Sequence, residues 1–231
     1  MTKYIRIFLG VFTILSLMCL WLICTHSEFY GNNGLKIYLD GPVQAFSVME
    51  MMWWLFLFAP VWAGAGWLLD MALNTSSLVL YRCKFLQRWW LSRILLVVGV
   101  NLWYFFCLTM LYSFYIAQLP DNELLQRFIT VLCHCLAMTA LMVWFSILFR
   151  RVTLAFLLLI ILECLGKTGV MLGIVPQYLP LVWGMYGYSS WNISDRPFLW
   201  PLAITAEIIF VLLTIIIPCI FKRLIIRSVH I

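Results

Sequence analysis

Long apolar runs alternate with short polar stretches along this chain, and the runs share one length. They cover residues 5–25, 46–69, 94–117, 127–149, 152–175 and 201–221. A helix rising 1.5 Å per residue needs about 20 apolar residues to cross a hydrocarbon layer about 30 Å thick. The pattern predicts an all-α polytopic membrane protein of six transmembrane helices, in one domain covering residues 1–231. The first run follows Lys3 and Arg6 and resembles a secretion signal. It has the full length of a span and no small-x-small cleavage motif after it, so it is read as a retained helix.

The polar gaps orient the helices. Lys3, Arg6, Arg82, Lys84, Arg88, Arg93, Arg150, Arg151, Lys222, Arg223 and Arg227 fall on one side; Lys36, Arg127 and Arg196 fall on the other. Cytoplasmic loops collect Lys and Arg, so both termini are expected in the cytoplasm. Trp21, Trp53, Trp54, Trp183, Trp191 and Trp200 mark the outer interface, and Trp89 and Trp90 the inner one. Three gaps are long. The outer gap His26–Ala45 carries the turn signals Gly31-Asn32-Asn33-Gly34 and Asp40-Gly41-Pro42. In the inner gap, Asp70–Arg93, Asn74, Thr75 and Ser76 are suited to cap a helix start. Leu78, Tyr81, Phe85 and Trp89 then recur on one helical face, with Arg82, Lys84 and Arg88 elsewhere. This predicts a short amphipathic helix on the inner surface, touching anionic lipid or docking a cytoplasmic partner. The outer gap Pro176–Pro201 is rich in Pro, Gly and aromatics, as an interfacial segment would be.

Composition fixes the solvent. The chain is 65% hydrophobic and 10% charged, with a mean hydropathy of +1.02. Ordinary soluble domains carry about 25% charged residues, so a water-soluble fold is excluded and no nucleic-acid partner is expected. Seven of the eight cysteines fall in predicted spans, without disulfide or zinc spacing. Cys133-His134-Cys135 looks metal-binding, but consecutive helical residues point about 100° apart and cannot share one ion. Gly166-Lys167-Thr168 looks like the end of a phosphate-binding loop, but that motif needs a glycine where Ile161 stands. The chain is therefore expected to hold no metal, no nucleotide and no other cofactor, and to be no enzyme.

The candidate chemistry lies in the spans, where ionisable side chains are costly. His134 falls in span four, Glu163 and Lys167 in span five, and Glu207 in span six. Glu163 precedes Lys167 by four residues, the favoured spacing for an intrahelical ion pair; alternatively Lys167 meets Glu207 and leaves Glu163 for another partner. Gly166, Gly169 and Gly173 share a face, and Gly169–Gly173 forms a GxxxG spacing that suits close helix packing. Pro60, Gly64 and Gly66 in span two suit either a hinge or ordinary packing.

Six spans, both ends inside and a basic amphipathic stretch, LVLYRCKFLQRWWLSRILL, between spans two and three resemble the type-2 ABC exporter permeases. The stretch is similar to that of small bacterial permeases of peptide-antibiotic immunity and efflux. The resemblance implies a bacterial plasma-membrane subunit paired with a second permease chain, identical or related. ATP and Mg would sit on a separate ATPase subunit. Tyr81, Arg82, Lys84, Phe85 and Arg88 would form the coupling helix that contacts this ATPase. It further implies an interfacial helix at Met1–Gly10, short re-entrant helices between spans five and six, and an amphipathic or hydrophobic substrate such as a peptide antibiotic or a lipid. Glu163, Lys167, Glu207 and His134 would border the substrate path. The competing expectation is a proton-coupled secondary transporter or channel that uses Glu163, Glu207 and His134 as a relay.

Overall fold

A computed structural model describes residues 2–27, 38–42, 47–80, 86–116, 122–189 and 197–220. Regular structure among them is helical throughout: α1 (Thr2–Ser27), α2 (Val48–Leu80), α3 (Leu86–Ile116), α4 (Asn122–Phe149), α5 (Val152–Met171) and α6 (Trp200–Ile220). Three short 3₁₀ turns, Pro176–Tyr178, Pro180–Val182 and Tyr186–Ser189, separate α5 from α6. Five helices contain apolar stretches long enough to cross a membrane: Val48–Leu73, Arg88–Leu111, Asn122–Phe149, Val152–Met171 and Trp200–Ile217. α1 holds a shorter one, Ile7–Ile23. The protein is thus an all-helical, multi-pass membrane protein.

The helices outrun the predicted spans most clearly between the second and the third. Asn74, Thr75 and Ser76 do not cap a new helix; α2 continues through them to Leu80. Once a helix is nucleated, propagation is favourable, and such residues cost only about 0.5 kcal/mol each in its interior. α2 therefore has 33 residues, about 50 Å of helix against a layer of about 30 Å. Tyr81, Arg82, Lys84 and Phe85 lie outside the described residues, and Arg88 is exposed near the start of α3. Arg93, expected in the inner loop, instead lies buried within α3, with its guanidinium 5.9 Å from the Trp89 ring centre.

α4 is the hub, packing against α2, α3, α5 and α6. Of its apolar stretch 61% is buried, against 22% for α6, so α4 is enclosed by protein while α6 lies at the rim. α1 packs on α2 and α3. The interior is aromatic: Trp54, Phe58 and Trp62 follow each other at four-residue spacing on α2, with ring centres 5.1 and 5.3 Å apart. Leu154, Leu157, Ile161 and Leu165 of α5 and Leu202, Ile209, Leu212 and Ile216 of α6 face outward, as contact with lipid or another apolar surface requires.

α2 is uninterrupted at Pro60, and the two glycines that follow are contact points. A Cβ at Gly64 would lie 2.8 Å from the Phe12 ring of α1, and one at Gly66 would lie 3.2 Å from Val152 at the start of α5. Both glycines allow a neighbouring element to approach closely. Gly64→Val should overpack the α1–α2 contact and lower stability by about 1–3 kcal/mol. Gly99→Ala, where an added carbon meets nothing within 4 Å, should instead stabilise α3 by about 1 kcal/mol through helix propensity. Thermal unfolding in one detergent tests both; a tolerated Gly64→Val would contradict the close approach of α1.

Candidate functional site

The three ionisable residues that sequence places on three separate helices meet at one point. His134 lies about 18 Å along α4 from Asn122. Its Nε2 is 2.8 Å from Glu163 Oε1 of α5, and its Nδ1 is 2.8 Å from Glu207 Oε1 of α6. Glu163 and His134 are 0% and 1% exposed, so water does not screen these contacts. The second oxygen of each glutamate, Oε2, is buried and accepts no hydrogen bond. Phe58 of α2 stands edge-on to the imidazole at 6.2 Å.

Lys167 does not form the expected intrahelical pair with Glu163, nor does it meet Glu207. Its Nζ donates to Tyr188 Oη at 2.7 Å and lies 5.3 Å from that ring's centre. Four-residue spacing brings two side chains within reach of each other, but it does not choose between them and a better partner. The imidazole offers Glu163 a nitrogen at direct hydrogen-bonding distance. The long lysine side chain reaches the chain segment beyond α5 instead.

That segment accounts for the glycine face of α5, with one correction. Gly173 does not pack against a helix. It adopts φ +91°, an added Cβ there would meet nothing within 4 Å, and it ends α5: Gly173 N–H donates to Val170 O and Ile174 N–H to Gly169 O. This is the Schellman closure, for which glycine is favoured because it tolerates positive φ. Gly166 and Gly169 do permit close approach, but of the chain's own 3₁₀ turns. A Cβ on Gly169 would lie 3.2 Å from Leu179, and one on Gly166 only 2.6 Å from Leu181. Further on, a Cβ on Gly184 would lie 2.4 Å from Cδ2 of His134. The chain therefore folds back inward from the end of α5, passing Gly169, then Gly166, then the imidazole. It returns outward at Tyr186, whose hydroxyl donates to Gln126 Oε1 at 2.9 Å near the start of α4. Pro176, Val182, Met185 and Tyr188 are buried along this excursion.

A second ion cluster, which sequence reading missed, closes the same end of the bundle. Arg127 of α4 grips Asp40 with two bonds, Nε to Oδ1 at 2.7 Å and Nη2 to Oδ2 at 3.3 Å. It also pairs with Glu123 at 3.0 Å, and its guanidinium stacks 4.8 Å from the Tyr186 ring centre. The Glu123–Arg127 spacing was visible in sequence; the Asp40 contact, 87 positions away, was not. Gly41, at φ +77°, lies against Met185, so the residue 38–42 segment and the inward fold share a boundary. Tyr38 Oη donates to the backbone oxygen of Trp53.

Towards the other end, Asn101 of α3 accepts from Thr139 Oγ1 at 3.2 Å and Cys135 Sγ at 3.3 Å. Below it, a cavity of about 20 Å³ between α3, α4 and α6 is bordered by Val97, Thr139, Val143 and Thr214, room for about one water molecule. Among the described residues, no group of three His, Cys, Asp or Glu side chains is arranged to hold a metal ion. The imidazole lies between the two carboxylates, so their lone pairs do not converge on a common point. No family model matches the chain, nor does any curated protein or solved structure.

Chemically, the arrangement can store a proton, hold three helices together, or do both. Because both ring nitrogens are engaged, His134→Ala should strand two buried carboxylates and cost about 3–5 kcal/mol of unfolding free energy. Tyr188→Phe removes one acceptor from a buried ammonium and should cost about 1.5–3 kcal/mol. Thermal or denaturant unfolding in lipid nanodiscs reads both, and a wild-type midpoint for His134→Ala would refute the triad as a structural tie.

Proposed function

We propose that this chain is the membrane-spanning subunit of an ATP-driven type-2 ABC exporter of a bacterial plasma membrane. The observation that carries the reading is the inward fold between α5 and α6. A segment that turns back into the bundle after span five and lies against the buried polar centre is what the resemblance to those permeases leads one to expect. Such backbone is stable at membrane depth only where protein satisfies it, and here its turns carry their own hydrogen bonds, such as Leu179 N–H to Pro176 O and Val182 N–H to Leu179 O.

Two further features agree with this reading. α2 projects past Leu73, the end of its apolar stretch, for another turn or more to Leu80, and Tyr81, Arg82, Lys84, Phe85 and Arg88 follow. This is where an ATPase subunit carrying ATP and Mg would push. The outward apolar stripe of α5 gives a second permease chain, identical or related, a surface to meet. With α1 as a sixth crossing, both termini lie on the cytoplasmic side, together with Arg150 and Arg151. The substrate would be amphipathic or hydrophobic, a peptide antibiotic or a lipid, moving at or beside the centre formed by His134, Glu163, Glu207 and Lys167.

The His134 triad itself favours a second reading, a proton-coupled transporter in which Glu163, His134 and Glu207 relay the proton. The energy source separates the two. Efflux from cells should stop on ATP depletion and persist when a protonophore collapses the gradient; the reverse outcome selects the relay. Under the first reading, the Arg82→Ala/Arg88→Ala double variant should insert normally and transport at least about tenfold more slowly, because the charged docking contacts to the ATPase are lost. Undiminished export by that variant removes the coupling assignment.

A further inference from the structure

The geometry points to a single-proton site in the Glu163–His134–Glu207 triad whose occupancy fastens the inward fold, residues 176–189, into the bundle. The count of donors requires the proton. A neutral imidazole has one N–H donor and one lone-pair acceptor, and a carboxylate only accepts. Both ring nitrogens lie 2.8 Å from carboxylate oxygens. Without an added proton, one of these contacts would set lone pair against lone pair, and the cluster would hold two uncompensated negative charges. One proton, on the ring or on either carboxyl group, turns both contacts into hydrogen bonds and leaves a single negative charge. Lys167, one turn further along α5 and equally buried, directs its ammonium to Tyr188 instead. The arrangement is therefore that of the loaded site.

The inward fold rests on the group that this proton holds in place. The backbone at Gly184 lies against the imidazole so closely that even a methyl group would collide with Cδ2, Cγ and Cβ of His134. A ring that turned away from an unprotonated carboxylate would push directly on Gly184. Among the described residues, the groups around the ring are few. α5 contributes Glu163, with Cys164 and Lys167 beside it, and α6 contributes Glu207. Cys133 and Cys135 flank His134 on α4, and the fold itself brings Tyr188, already bonded to Lys167. α2 presents Phe58, with Glu50 close enough to act on Lys167, and α3 presents the neutral Asn101 beside Cys135. Raising the pH empties the site, so the fastened form belongs to the acidic side and is lost as pH rises. The latch does not require that the proton be transported, and it is compatible with either energy source.

Hydrogen–deuterium exchange of residues 176–189 tests the latch in the full-length protein in lipid nanodiscs, with protection corrected for the intrinsic pH dependence of exchange. Wild type should lose protection there by on the order of tenfold between mildly acidic and alkaline pH. Glu163→Gln should keep it, because a carboxamide supplies both a donor and an acceptor and satisfies the ring with no titratable proton. Glu207→Gln should behave alike and serves if the first variant does not fold. Gly184→Ala should lower protection at every pH. A pH-indicator dye should count one more proton released per chain from wild type than from Glu163→Gln over the range where protection falls. Protection that ignores pH, Gln variants that follow wild type, or proton release that does not coincide with loosening would each overturn the assignment.

Discussion

A buried charge at membrane depth must find both a counter-charge and hydrogen-bond partners, and in this protein two carboxylates share one imidazole for both. Burying an unpaired carboxylate costs several kcal/mol even after relaxation. Glu163 and Glu207 therefore cannot be placed independently of each other: each must reach His134. That requirement sets how α5 and α6 seat against α4. It also explains why α6, mostly exposed along its length, turns Glu207 inward where only 5% of the residue is accessible.

The same ring organises the chain that links α5 to α6. Three cationic or imidazole side chains contact the inward fold at successive depths: Arg127 stacks on Tyr186, Lys167 bonds to Tyr188, and His134 lies under Gly184. Two of these contacts use aromatic rings, whose faces attract cations without demanding a counter-ion. The third uses the absence of a side chain. A segment with four prolines in residues 176–201 cannot rely on a continuous backbone ladder, so side-chain contacts of this kind hold it in place.

Apolar run length showed the spanning helices because the bilayer imposes a single dimension on all of them. Scarcity of charge singled out the polar residues inside the spans, and His134, Glu163 and Glu207 were all visible on that ground. Their mutual pairing was not, because contacts 29 and 73 positions apart leave no periodic trace. The local rule of four-residue spacing pointed instead to Glu163–Lys167. Gly173 misled for a related reason: a GxxxG spacing and a helix-ending glycine look alike until the position of the helix end is known. Asn74, Thr75 and Ser76 suggested a start that an already growing helix overran. Gly184, now among the residues most constrained by contact, carried no signal at all, since what constrains it comes from another helix.

The connection between α4 and α5 is only Arg150 and Arg151, with Arg150 held at φ 54°, whereas α5 and α6 are separated by residues 172–199. Two helices joined by so short a turn move as one hairpin, and His134 and Glu163 both belong to it. Glu207 comes from outside the hairpin, on a helix with a long tether. The two glutamates are equal in chemistry and in distance, yet unequal in mechanics. Any rearrangement that slides α6 past the hairpin stretches the bond to Nδ1 and leaves the bond to Nε2 intact. One carboxylate is in effect a permanent fitting of the ring, and the other is its detachable coupling.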